Sequence, residues 1–96
     1  MSTAYHEEGL SPKARETHRA LASLMEELEA IDWYNQRIDV TDDDELRSIL
    51  EHNRNEEMEH AAMVLEWLRR MMPAFGDELK TYLFTSKPIT EVEESD

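Results

Sequence analysis

Two long apolar rows separated by a five-residue acidic break decide what this chain can become. The first runs Thr17, Leu21, Leu24, Leu28, Ile31, Asn35, Ile38 at steps of four and three, the repeat of one continuous helix face ending near Asp39. The second reads Leu46, Ile49/Leu50, Asn53, Glu57, His60, Val64, Trp67, Met71. Ser11-Pro12 is a helix start, with the hydroxyl as N-cap and proline at the first helical position. Val40-Thr41-Asp42-Asp43-Asp44 breaks the pattern; Thr41 or Asp42 is expected to cap the second helix, with Asp43, Asp44 and Glu45 suiting its positive end. Pro73 stops that helix, and a third, short one is expected from about Ala74 to Leu83, with Phe75, Leu79, Tyr82 and Leu83 as its contacts. Residues 1–10 read as a flexible N-terminal segment, 11–86 as a helical hairpin domain and 87–96 as an extended acidic tail. With two Gly, three Pro and few β-branched residues in the long central segments, the fold class is all-α.

Two antiparallel helices cannot cover both of their apolar stripes, and 96 residues leave little else to cover them. Association with a second copy about a twofold axis is therefore expected, completing a four-helix bundle. Ten Lys and Arg against 23 Asp and Glu give a net charge of −13, which repels nucleic acid and anionic membrane surfaces and favours cations. The absence of Cys excludes disulfides, thiolate metal sites and cysteine nucleophiles. The longest nearly apolar stretch, Ala61 to Leu68, is too short to span a bilayer, and Met1 to Leu10 lacks the pattern of a secretory signal, so the expected compartment is cytoplasmic.

The second stripe carries chemistry where it should carry Leu or Ile. Glu57 and His60 stand at i and i+3, about 60° apart around a helix, so a carboxylate and an imidazole converge on one point. A carboxylate on a buried stripe must be neutralised, and a divalent cation does this. The alternative is an internal hydrogen bond to an Arg, a Tyr or Asn35. On the first helix Glu27 lies between Leu24 and Ile31 at the edge of the stripe; Tyr34, seven residues on and about 20° away, can approach the same place or simply pack there. Di-iron carboxylate bundles take a lone Glu from each of two helices and Glu-x-x-His from each of the other two. Glu27 with Glu57-x-x-His60 is half of that set, and the twofold expected from the exposed stripes would supply the rest. Carboxylates and imidazole suit Fe, Mn or Zn, and paired irons imply oxidation of Fe(II) to Fe(III) by oxygen.

Met25-Glu26-Glu27-Leu28-Glu29-Ala30-Ile31-Asp32-Trp33-Tyr34-Asn35-Gln36-Arg37 and His52-Asn53-Arg54-Asn55-Glu56-Glu57-Met58-Glu59-His60-Ala61-Ala62-Met63 closely resemble the encapsulated ferritins of bacteria. The similarity continues through Leu65-Glu66-Trp67-Leu68-Arg69-Arg70 and Thr81-Tyr82-Leu83-Phe84. The resemblance implies a hairpin that becomes a ferritin-like four-helix bundle only on dimerisation, and a homodecamer built as a ring of five dimers. It implies a ferroxidase with a di-iron site at a dimer interface, its ligands on Glu27, Glu57 and His60 with Tyr34 nearby. It further implies a metal entry site on Glu26 and Glu29 beside Trp33, whose bland reading is a solvated acidic face. Members feed iron storage inside an encapsulin nanocompartment, so an encapsulin shell protein is the implied partner. A short C-terminal peptide normally targets them there; Glu91 to Asp96 does not look like one, so either the natural chain runs on or targeting works differently.

Other candidates are weaker. His52 reads as a surface residue, His6 and His18 as solvent-exposed, Met58, Met63, Met71 and Met72 as packing, and Trp67 as a core or interface anchor. Two competing readings stand beside the oxidase: a non-catalytic helical assembly stabilised by Zn or Ca as stand-ins for iron, and a purely structural interaction module.

Overall fold

The structure, a computed structural model, describes residues 5–94; residues 1–4 and 95–96, the ends of the expected flexible segment and acidic tail, lie outside the described residues. Helix α1 spans Pro12–Val40 and α2 spans Asp44–Met71. Ser11 caps α1 as expected, its hydroxyl accepting from the Ala14 amide at 3.1 Å. The second cap is not Thr41 or Asp42. Asp43 holds that place, accepting from the Leu46 amide at 2.9 Å. Thr41 is already spent as the C-cap of α1, its amide donating to the Arg37 carbonyl, and its hydroxyl accepts from the Asp43 amide. Arg47 closes the turn from the α2 side, donating to the carbonyls of Ile38 and Thr41 and pairing with Asp44 at 2.8 Å.

Helix α2 ends at Met71, and Pro73 opens α3 (Pro73–Tyr82) after the single residue Met72. The short link folds α3 back onto the last turn of α2. Gly76 permits the approach: a Cβ there would lie 2.8 Å from the Arg69 carbonyl oxygen. After Tyr82 the chain passes through Phe84 in a left-handed conformation (φ 63°), its ring fully exposed. The extended tail expected from Lys87 is instead interrupted by a short helix, α4 (Ile89–Glu94). The Pro88 carbonyl accepts from the Glu91 and Val92 amides, and Val92 is buried. Two apolar residues, Ile89 and Val92, in a six-residue segment are too few to establish a period, which is why this helix escapes a periodicity argument.

Packing follows chain order: α1 on α2, α2 on α3, α3 on α4. Among the described residues only Ala22, Ala61, Leu68 and Val92 form a buried apolar core. Leu28, Ile49 and Trp67 remain exposed, as the two-stripe argument requires, while Met58, Met63 and Met71, expected to pack, are exposed within the single chain. The result is an all-helical hairpin, with no strand among the described residues, whose main helices present far more apolar surface than one chain can cover.

Candidate metal centre

The seam between α1 and α2 brings together Glu27, Glu57 and His60. One donor atom from each lies within 4.8 Å of the others, and they are the only His, Asp or Glu residues among the described residues that converge as a group of three or more. Helix geometry explains the convergence. Glu57 and His60 sit one turn apart on α2, and antiparallel packing brings Glu27 of α1 to the same level. Their side chains are 27%, 44% and 21% exposed, respectively, so the site is sheltered and open on one side. Burial is less complete than a stripe position implies, because a single partner helix covers only part of each face.

His60 Nδ1 stands 3.8 Å from Glu27 Oε2 and 3.8 Å from Glu57 Oε2. That separation is too long for a hydrogen bond. It fits two donors on one ion: with metal–ligand bonds of about 2.0–2.2 Å, ligand atoms are separated by about 3–4.3 Å. The carboxylates lack a strong cationic partner. Glu27 hydrogen-bonds Glu57, and its carboxyl is pushed up from its ordinary 4.5 to about 6, first by that bond, then by burial and by the Glu57 charge; His60 pulls the other way. Two crowded carboxylates beside an imidazole are a donor set suited to a divalent cation, which would offset the repulsion that pushes Glu27 up. The internal alternative is not realised: Asn35 bonds Arg54 instead, and no Arg, Tyr or Asn side chain among the described residues hydrogen-bonds Glu57 or His60.

The other candidates are dispersed. Tyr34 is half-buried on α1, makes no hydrogen bond to the three ligands among the described residues, and lies with its ring 5.5 Å from the Arg37 guanidinium. Trp33 is half-exposed, with the same guanidinium 5.9 Å from its ring. Glu26 is exposed and Glu29 half-exposed, and neither joins a third ligand. His52 pairs with Glu56 at 2.9 Å on the surface, as expected. His6 is exposed, but His18 is not: it is half-buried, with the Tyr5 ring 4.8 Å away, because the segment before α1 lies against that helix. Two features escaped the sequence reading. One is the pairing of Glu66 with Arg69 and Arg70, for which the i,i+3 and i,i+4 spacing was a signal; the other is the Arg54–Asn35 bond, which joins residues nineteen apart and had none.

His60 also shares its row on α2 with two exposed apolar residues and an asparagine. Ile49, Asn53 and Trp67 stand eleven and seven residues before it and seven after it, each within about 20° of His60 around α2. Ile49 is 52% and Trp67 37% exposed. An imidazole donor thus lies on a row with an exposed apolar side chain toward either end.

No helix among the described residues is long and apolar enough to cross a membrane. The chain is 60% identical to the "Ferritin-like protein" of Thermotoga maritima, over 98% of this chain and 84% of that protein. It is 55% identical to the "Encapsulated ferritin-like protein" of Rhodospirillum rubrum, over 99% of this chain and 69% of that one. A weaker match, 45% over 47 residues, joins it to the encapsulin nanocompartment cargo protein EncC of Myxococcus xanthus. The crystal structure of a Nitrosomonas europaea protein superposes with a TM-score of 0.87 at 60% identity, covering 90% of this chain and 97% of that one. The EncFtn-like family model matches residues 2–86, nearly the whole helical region, and the chain belongs to that family.

Proposed function

We propose that this protein is a ferroxidase that oxidises Fe(II) to Fe(III) with oxygen at a di-iron site shared between two copies of the chain. The observation that carries the reading is the half-set of ligands: Glu27, Glu57 and His60 converge, hold an unneutralised pair of carboxylates, and open onto the exposed Ile49–His60–Trp67 row. A twofold partner laid on that row would bury it and bring a second Glu, Glu, His set to the first. Fe(II) is substrate. Two Fe(II) ions release one electron each, and dioxygen takes up both with two protons and leaves as hydrogen peroxide.

The chain's own residues hold the ions and manage charge. Glu27 and Glu57 supply the negative charge that a ferric product needs more than a ferrous substrate does, favouring the oxidised state. Glu27, raised to about 6, gives up any proton it still holds as a cation enters, and His60 fixes one coordination direction. Tyr34 is assigned to the rim of the completed site, and Glu26 and Glu29, beside Trp33, to an outer acidic station for arriving ions. By analogy with its encapsulated relatives, the protein works as a ring of five dimers inside an encapsulin shell, passing Fe(III) to a mineral store.

Aerobic Fe(II) oxidation, read as the rise of ferric absorbance, tests the reading. Wild type is expected to be fast, while Glu57→Ala and His60→Ala fall to the rate of buffer with helical content intact. Equal rates in wild type and both variants would overturn it and leave a metal-stabilised or purely structural assembly.

A further inference from the structure

Asn35 interrupts the apolar row of α1 much as Glu57 and His60 interrupt that of α2, yet it takes no part in the ligand cluster. It lies two turns from Glu27, about 12 Å along the helix. Its Oδ1 accepts a hydrogen bond from Arg54 Nη1 at 3.0 Å. Arg54 is half-buried, and its Nε and Nη2 both donate to Asn55 Oδ1, at 3.4 and 3.3 Å. One guanidinium is therefore held between an amide of its own helix and an amide of the opposite one.

The position of this contact matters. Arg54 precedes Glu57 by one turn and lies about 120° from His60 around α2, on the other flank of the helix–helix seam. Nearer the turn, Arg47 ties α2 to the Ile38 carbonyl. Between that tie and the ligand cluster, Arg54–Asn35 is the one side-chain hydrogen bond among the described residues that crosses from α2 to α1. The cluster has its ligands on both helices, so its geometry depends on how far apart and at what rotation they sit. Apolar side chains alone set that spacing loosely, since one apolar contact can be traded for another. A planar guanidinium with directed donors sets it more sharply. Both of its acceptors are neutral amides, so Arg54 braces the seam without neutralising the carboxylates that a cation must find.

We propose that Arg54, held between Asn35 and Asn55, is a positioning residue that fixes α2 against α1 so that Glu57 and His60 meet Glu27 around one cation. The inference rests on the metal-binding reading of the cluster. Co(II) binding to the full chain, followed by visible absorption at neutral pH, tests it without turnover. Arg54→Met keeps the apolar stem and loses the donors; it is expected to weaken Co(II) affinity about tenfold, the scale of a lost orienting partner. Asn35→Leu should cost the same, the double variant no more than either single change, and Asn35→Asp, which keeps the acceptor, should bind at least as tightly as wild type. Asn35 is exposed, so its variants report even if Arg54→Met unfolds. Unchanged affinity in Arg54→Met or in Asn35→Leu, or losses that add in the double variant, would overturn the positioning role alone. A wild type that binds no Co(II) would overturn it together with the metal-centre reading.

Discussion

Glu66 and Glu27 are the same side chain on the same hairpin, and their surroundings drive them in opposite directions. Glu66 accepts from Arg69 Nε at 2.7 Å, Arg69 Nη2 at 2.8 Å and Arg70 Nε at 2.7 Å. Those hydrogen bonds, Arg69's first, hold its carboxyl down near 2. Glu27 faces a second carboxylate and is pushed up to about 6. The first arrangement satisfies its charge within one helix and needs nothing more. The second sets two carboxylates side by side with no guanidinium against them, the arrangement on which the metal-binding reading rests. In a chain so rich in acid, what marks the candidate site is that its carboxylates converge with an imidazole and meet no guanidinium.

The contrast breaks most sharply at Glu57. Glu57→Gln removes the carboxyl hydrogen-bond partner and its like charge but not the burial, so Glu27 should titrate below about 6 in a carbon-detected NMR pH series, and Co(II) affinity should fall by more than about a hundredfold. The next effect is pH. Below about 6 a cation must displace the Glu27 proton, so metal affinity should fall by up to about tenfold per pH unit there and flatten above, as titration calorimetry across that range would report.

Stability of the metal-free protein should show the two signs side by side. The Glu27 value is raised in the folded state, so its contribution is present below 4.5 and is lost as pH rises through about 6. The Glu66 value is depressed, so what little its water-exposed pairs contribute is present above 4.5 and is lost as pH falls through about 2. Melting temperatures should therefore fall between about pH 4.5 and 6 by more than they change between about 2 and 4.5 on account of Glu66. Gly76→Ala, which presses a methyl onto the Arg69 carbonyl beside the Glu66 clamp, should cost about 1–3 kcal/mol of stability while leaving Co(II) affinity unchanged. Smallest of all, Glu66→Gln should barely move the melting temperature at neutral pH, because its pairs are exposed to water, and should not touch metal binding.

Much of this architecture was legible in the residues because it rests on repeats and punctuation. Ser11-Pro12 and Pro73 mark helix boundaries through local chemistry, a capping hydroxyl and a fixed proline φ, and Glu57 with His60 stand out because they occupy places where the period calls for Leu. Glu27 could be placed on the seam by the same period. What could not be read depends on competition or on distance in the chain. Thr41, Asp42 and Asp43 are all competent caps, and the choice fell to Asp43 only because α1 runs on to Val40 and claims Thr41. Helix α4 is too short for a pattern, and Arg54 finds Asn35 only after the hairpin has closed.

The strip in which His60 lies has a kinetic consequence. If a centre is made of two half-sets, a lone chain is inert, and turnover per chain climbs with protein concentration until pairing saturates. Dilution then acts as an off state. A freshly made or misplaced chain would bind iron weakly and release little peroxide, and oxidation would begin only where many copies are crowded together. The uncovered Ile49–Trp67 surface that leaves the monomer incomplete would also confine its chemistry to the assembled place.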